Sequence, residues 1–289
     1  MDFTHTSYKQ MLHALATAGY TFSRFPQAPT NMAAATPFVL LRHDMDLDLE
    51  AALAMAHIEA EMGIASTYFV MVRTQFYNVF SQAGSHYVRT ILGLGHDIGL
   101  HFDCAAYPSD ADTDFLAAAC RQETHLLESW FGNKVETVSI HRPQPNVLAG
   151  DPALTAPLPH TYMDFYTKTI HYVADSRGGW HYGHPLEQPA FQERRPMQIL
   201  VHPIWWRDEV APPLQTLHDF EDRRAAELMK NMAANSTIYR PRPLVQAVPA
   251  LLQPEMNGQR PPEIAIRNGK AAPVTFPTLH VPTTTGSLS

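Results

Sequence analysis

Cysteine is scarce in this sequence, which has only Cys104 and Cys120 among its 289 residues. A chain of this length can bury a complete hydrophobic core without cross-links, so the two thiols imply no disulfide framework. Neither cysteine lies in a pattern typical of an activated thiol, and we expect both to be inert. Their small number is compatible with a reducing compartment.

Positive charge and long apolar runs are also lacking. Lysine and arginine number 21 against 28 acidic residues, the formal net charge is −7, and no run of basic residues occurs. This balance argues against a nucleic-acid-binding protein. No apolar stretch is long enough to cross a bilayer, and residues 1–5 have neither the basic nor the apolar region of a signal peptide. We therefore expect no membrane insertion and a cytoplasmic location.

The sequence does contain a regular alternation of apolar runs and amphipathic segments. Runs rich in strand-forming residues occupy residues 37–43, 65–72, 96–102, 135–141, 170–174 and 197–202. Apolar residues recur at helical spacing in residues 5–20, 49–62, 84–94, 112–131 and 214–233. Strand–helix alternation of this kind predicts parallel strands and an α/β fold.

The end of the chain has a different composition. Residues 241–289 are rich in proline, and no charged residue follows Lys270. We therefore expect the α/β domain to occupy residues 1–240. Residues 241–289 would form an irregular Pro-rich C-terminal arm that wraps the domain or a partner, or is partly disordered.

Histidine is abundant, with 16 residues, and several histidines end apolar runs. In parallel α/β folds, polar groups at the carboxyl ends of strands line the active site. Asp44 and Asp46 follow the first long apolar run, and His101, His141 and His202 end three others. Because imidazole and carboxylate groups together suit zinc or a related divalent ion, these strand ends predict a metal site.

These strand ends belong to an ordered set of motifs that resembles the polysaccharide deacetylase superfamily, carbohydrate esterase family 4. In chain order the motifs are Arg-His-Asp-Met-Asp at 42–46, Gly-His-Asp-Ile-Gly-Leu-His at 95–101, His-Arg-Pro at 141–143, Asp-Ser-Arg-Gly-Gly-Trp at 175–180 and Ile-Leu-Val-His at 199–202. The second and fifth motifs are the most specific. The resemblance implies a distorted (β/α) barrel of about seven strands.

The resemblance also implies roles for the matched residues in a hydrolytic reaction. Asp44 would be the general base, and His202 would be the general acid that protonates the departing amine. Asp46 and His101 would bind a divalent metal ion, with zinc as the first expectation.

Further roles concern residues around this centre. Arg142 would pair with the base, and Asp175 would support Arg142. Trp180 would form a wall of the substrate groove, and Leu200 would line the acetyl pocket. Trp205 is a further candidate for sugar binding, because aromatic faces stack on sugar rings, although a core position is equally compatible with its sequence context.

The sequence departs from the family pattern in two places. One residue separates the two aspartates of the first motif, which are usually adjacent, but alternation along a strand still directs both to the same side. The second histidine that usually follows the second motif is Ala105 here. The third metal ligand must therefore come from elsewhere or be missing. We favour His141, with Asp103 and Cys104 as weaker alternatives.

Three functions remain open at this stage. The first is a metal-dependent hydrolase that removes an acyl group, acetyl in the first instance, from the nitrogen of an amino sugar or a surface-polysaccharide precursor. The second is an amidohydrolase of another C–N bond, in a ureide or formamide. The third is a non-catalytic carbohydrate-binding or scaffold protein, which Ala105 and the Pro-rich arm would favour. We expect a carbohydrate or small-molecule amide as the partner, and self-association stays open.

Overall fold

The computed structural model describes residues 2–143 and 145–241. Its strands are β1 Thr21–Ser23, β2 Phe38–Met45, β3 Thr67–Val70, β4 Asp97–Asp103, β5 Val138–His141, β6 His171–Ala174 and β7 Met197–Val201. They form one parallel sheet in the order β5-β4-β3-β2-β7-β6, and β1 pairs with the beginning of β2. No pairing joins β5 to β6 within the described ranges, so the curled sheet is an open half-barrel. The predicted distorted barrel of about seven strands is confirmed.

Helices connect the strands and cover the outer face of the sheet. They are α1 His5–Thr17, α2 Ala28–Ala33, α3 Leu49–Glu61, α4 Gln82–Gly93, α5 Thr113–Phe131, α6 Pro145–Leu148, α7 Pro189–Gln192 and α8 Pro213–Asn235. Side chains of α1, α3, α4 and α5 pack on the sheet in two apolar clusters. Each predicted strand and helix lies within a few residues of an observed one, and only β1 and the short helices were not predicted.

Two further expectations concern membrane insertion and the Pro-rich arm. Among residues 2–143 and 145–241, no helix combines the length and apolarity that a bilayer-spanning segment requires. The Pro-rich arm predicted for residues 241–289 lies outside the described residues, apart from Pro241.

Alternation along β2 determines which side chains enter the half-barrel. Val39 and Leu41 belong to the apolar cluster beneath the outer helices, whereas Leu40 belongs to the cluster inside the sheet. Because side chains alternate along a strand, Arg42 and Asp44 continue the inner row. The inner row of β2 therefore changes from apolar to charged toward its carboxyl end.

The same alternation directs polar residues of β4 and β5 inward. Leucine and isoleucine neighbours pack outward, which leaves His101 of β4 and Ser139 and His141 of β5 on the inner face. Gly99 precedes His101 in this row, and a Cβ atom there would lie 2.4 Å from the ring of Phe69. Glycine is thus needed for the aromatic ring to fill the interior below the polar residues.

A second buried polar cluster lies on the outer side of β2. Glu59 of α3 is fully buried, and its carboxylate accepts 2.5 Å hydrogen bonds from the hydroxyls of Tyr8 and Ser66. His43 Nε2 lies 2.7 Å from the same carboxylate, and His96 Nδ1 lies 3.5 Å from it. The two histidines therefore have structural roles, and the cluster joins α1 and α3 to β2 and to the residues that precede β3 and β4.

Burial opposes the ionisation of Glu59, but the charge and hydrogen bond of His43, followed by His96 and Ser66, hold the Glu59 pKa below its usual value. A lowered carboxyl pKa gives stability that is present above the pKa of the unfolded chain. This stability is lost as the pH falls through the folded pKa.

The substitution Glu59→Gln should lower the free energy of unfolding near neutral pH by about 3 kcal/mol, because it removes one partner of a buried pair. The gap between wild type and variant should shrink on acidification, since protonated Glu59 resembles glutamine. Urea unfolding followed by circular dichroism over a pH series measures both effects. Glu61→Gln, on the same helix but exposed, is the matched control. A gap independent of pH would show that the charge of Glu59 is not stabilising.

Candidate active site

Three predicted metal ligands from separate strand ends converge in the structure. Ligand atoms of Asp46, His101 and His141 all lie within 4.8 Å of one another. His101 Nε2 is 2.9 Å and His141 Nδ1 is 3.5 Å from Asp46 Oδ1. His101 is buried, whereas the other two are half-buried and face a cleft. We call these three residues the triad.

The triad has the chemistry of a divalent-cation site. Burial opposes ionisation of Asp46, but hydrogen bonds from His101 and His141 hold its pKa far below the usual value. His101 Nδ1 is buried and has no hydrogen-bond partner in the described chain. Two imidazoles and one carboxylate that leave one side open form a donor set typical of catalytic zinc sites. The triad therefore fits the ion that the sequence motifs imply.

The two weaker candidates for the third ligand lie outside the triad. The carboxylate of Asp103 binds the guanidinium of Arg142 and accepts a 3.0 Å hydrogen bond from the backbone of Ala105. Burial, followed by the charge of Asp103, raises the pKa of the Cys104 thiol, which disfavours the thiolate form that binds metals. Of the three candidates, His141 alone contributes an atom to the convergence.

The proposed base, Asp44, is paired with Arg42. Arg42 donates from Nε to Oδ1 at 2.9 Å and from Nη2 to Oδ2 at 2.6 Å, and both residues are buried. Ser139 Oγ accepts a 2.6 Å bond from Arg42 and donates to the carboxylate at 3.0 Å. Burial opposes ionisation of Asp44, but the charges of Arg42 and then His101 lower its pKa. Asp44 Oδ2 lies 3.7 Å from His101 Nε2, beside the triad.

The predicted pairing of Arg142 with the base is wrong. Arg142 binds Asp103 instead, and its side chain is 62% exposed. His141 occupies the last inward position of β5, so alternation turns the next side chain away from the interior. The positive φ of 49° at Arg142 also ends the extended conformation there. The actual partner of Asp44, Arg42, could have been found from the sequence. It lies two residues before Asp44, and residues two apart on a strand share a face.

Asp175 also has a different partner from the one expected. The prediction that it supports Arg142 is wrong, because its buried carboxylate lies 2.6 Å from His202 Nδ1. It also accepts 2.9 Å hydrogen bonds from the backbone N–H of His202 and from Nε1 of Trp206. Burial opposes protonation of His202, but the hydrogen bond and charge of Asp175 raise the His202 pKa to about 9. His202 Nε2 lies 3.9 Å from Asp46 Oδ2, so the imidazole faces the triad.

The predicted substrate-binding residues occupy two different places. Leu200 is buried on β7 and precedes His202 in the inner row, which puts it near the triad. Trp180 is half-buried and lines a cleft of about 420 Å³ that contains no triad residue. Trp205 is partly buried against the outer apolar cluster, and Trp206 is a core residue of that cluster. The structure thus brings only Leu200 next to the proposed reaction centre.

No protein-family model matches the chain, and the search of curated proteins found no match. Among solved structures, a mutant CE4 family pseudoenzyme with restored enzymatic activity is 14% identical, with a TM-score of 0.41. The match covers 67% of this chain and 64% of that one. IcaB from Ammonifex degensii is 20% identical over 48% of this chain and 68% of its own, with a TM-score of 0.39.

A family 4 carbohydrate esterase from Bacillus anthracis is 14% identical, with a TM-score of 0.39. Here the match covers 75% of this chain and 86% of the esterase. The present chain therefore spans less than two thirds of the pseudoenzyme and most of the esterase. The first and third of these proteins are named as members of the family that the sequence motifs resemble.

The two arginines should differ sharply in their effect on stability. Arg42→Met should lower the free energy of unfolding by about 3–5 kcal/mol, because it leaves Asp44 buried without its partner. Arg142→Met should change it by less than about 1 kcal/mol, because the Arg142–Asp103 pair has an exposed arginine. Denaturant unfolding of the two variants measures the difference. Adding Asp44→Asn to Arg42→Met should recover part of the loss, and equal effects of the two arginines would contradict the assigned pairing.

Proposed function

We propose that this protein is a metal-dependent hydrolase. It would remove an acyl group, acetyl in the first instance, from the nitrogen of an amino sugar or a surface-polysaccharide precursor. The observation that supports this proposal is the convergence of Asp46, His101 and His141 beside Asp44 and His202 at the carboxyl ends of the strands. Polar groups at this edge of a parallel sheet form the usual site of catalysis.

Asp46, His101 and His141 would hold the metal ion, and zinc suits this mixed donor set. When bound, a divalent ion lowers the pKa of water and polarises a carbonyl oxygen. The half-buried position of Asp46 and His141 leaves one side of the triad open to the cleft, where a substrate amide can approach.

Asp44 is suited to accept the proton of the attacking water. Its lowered pKa keeps the carboxylate ionised at neutral pH, and a general base must be in that form to act. Arg42 and Ser139 fix the plane of the carboxylate. An ionised carboxylate has about four acceptor positions, so these hydrogen bonds leave capacity for a water molecule.

His202 is suited to give a proton to the departing amine. Its pKa of about 9 keeps the imidazole protonated at neutral pH, as a general acid requires. Asp175 holds Nδ1, so Nε2 is the nitrogen that faces the reaction centre. This carboxylate–imidazole pair orients the acid in the way that a buried aspartate orients histidine in other hydrolases.

The metal ligands can be tested without a known substrate. Purified wild-type protein should contain about one equivalent of zinc or a related ion. His101→Ala and His141→Ala should each retain less than about a tenth of an equivalent, because loss of one of three protein ligands weakens the site severely. His125→Ala, an exposed histidine on α5, is the matched control and should keep the metal. Full occupancy in His141→Ala would place the third ligand elsewhere.

The chemistry is tested by measuring product release from N-acetylated amino sugars, formamides and cyclic ureides. Acetate release would support the leading proposal, whereas formate release or ring opening would support hydrolysis of another C–N bond. Asp44→Asn and His202→Asn should each lower kcat by about 10²–10⁴-fold, with the metal retained. Metal-loaded wild type that turns over none of these substrates would favour a non-catalytic member of the fold.

A further inference from the structure

We propose that the cleft beside the triad recognises an oxyanion on the substrate, a carboxylate or a phosphate, through Arg73 and Arg142. This inference builds on the proposed function, because it assigns a charged class of sugar to the same cleft. The cleft has a volume of about 450 Å³. Asp46 and His141 of the triad line it together with the two arginines. An anion bound there would therefore belong to the molecule that approaches the triad.

Arg142 retains most of its capacity to bind a ligand. Its guanidinium has five N–H donors, and within the described residues its one side-chain hydrogen bond goes to Asp103. The side chain is 62% exposed, so its remaining donors are accessible from the cleft. Because Arg42 pairs with Asp44, Arg142 is not needed to neutralise that carboxylate. Arginine can bind carboxylate and phosphate through two parallel hydrogen bonds.

Arg73 is held in place by an aromatic contact and makes no direct ion pair within the described residues. Its guanidinium carbon lies 4.4 Å from the centroid of the Tyr107 ring, which fixes the group by a cation–π contact. The Tyr107 hydroxyl in turn donates to Glu123. No described carboxylate lies within the 4.0 Å that defines an ion pair with Arg73. Burial raises the pKa of Glu123 whereas the charge of Arg73 opposes this rise, so the arrangement fixes a positive group that makes no direct ion pair but has this carboxylate nearby.

The cleft is less negative than the molecule as a whole. The chain carries a formal net charge of −7, which repels anions at long range. Two aspartates, Asp46 and Asp103, and two arginines, Arg73 and Arg142, line the cleft, so its lining residues carry no net formal charge. A divalent cation in the triad would add more positive charge than Asp46 alone can offset. The balance therefore favours a substrate with a negative group near its acyl amide.

The cleft also has space for such a group. Ala105 and Ala106 are among the residues that line it. A methyl side chain at each position takes up little of the cleft. Arginine can bind the carboxylate of a uronic acid or the phosphate of a sugar phosphate. Binding experiments can distinguish these two classes of sugar.

The test uses sugars that lack an acyl amide, so that binding is measured without turnover. Dissociation constants for glucose, glucuronate and glucose 6-phosphate are measured by calorimetry on the full-length, metal-loaded protein. At least one charged sugar should bind at least about tenfold more tightly than glucose, the effect expected for one charge-assisted hydrogen bond. Preference for glucuronate would indicate a uronic acid, and preference for glucose 6-phosphate would indicate a sugar phosphate.

Variants assign this preference to the two arginines. Arg73→Met and Arg142→Met should each reduce the preference for the charged sugar by at least about threefold, with the metal content unchanged and the fold retained. Arg73→Lys should recover part of the loss, because it restores the charge without the planar donors. Arg121→Met removes one exposed positive charge on α5 and is the matched control. It should leave the preference unchanged.

Equal binding of all three sugars, or a preference that survives both arginine variants, would overturn the inference. A phosphate sugar that binds the metal directly would give the second result, since both variants keep the triad. These outcomes are distinct from failure of the proposed function, which would appear as a triad that binds no metal or as a loaded enzyme without turnover.

Discussion

The buried pair of Arg42 and Asp44 is the interaction on which the arrangement of the site depends. Both side chains lie inside the half-barrel, where an unpaired charge would be costly. Their bidentate contact and the hydroxyl of Ser139 satisfy the carboxylate within the sheet. The pair lies directly above the apolar interior, so it marks the boundary between the hydrophobic core and the polar edge where His101 and Asp46 meet.

The strand that leads to Asp46 is held by polar contacts to other elements on each face. On the inner face Arg42 and Asp44 bond to Ser139 of β5, and on the outer face His43 binds Glu59 of α3. Apolar packing alone is non-directional and tolerates small displacements of a strand. Directional contacts on alternate residues oppose any shift, because a slip of one residue would exchange the two faces. The position of Asp46 at the end of β2 follows from this constraint.

Local patterns were sufficient to predict the strands, the helices and the convergence of Asp46, His101 and His141. Strand ends in a parallel sheet share an edge, so residue type and spacing carried most of the information. The partners of Asp44 and Asp175 were not predicted correctly. They were assigned from the order of the motifs along the chain, without regard to the side of the strand on which each side chain lies. The direction of the Arg142 side chain depends on alternation along β5 and on the positive φ at Arg142. The residue type does not predict that φ. Strand β1 was missed because three residues are too few to show a period.

The proposed third ligand and the proposed anion site are physically connected. A histidine at position 105, where the motifs that this sequence resembles would place a ligand, would put its ring in the wall of the cleft. With His141 in the triad, the proposed metal site has three ligands without a side chain from that loop. The smaller alanine would leave space for a substrate group beside Arg73. Ala105 by itself argues against a metal site, but under the proposal it is the feature that would admit a charged substrate.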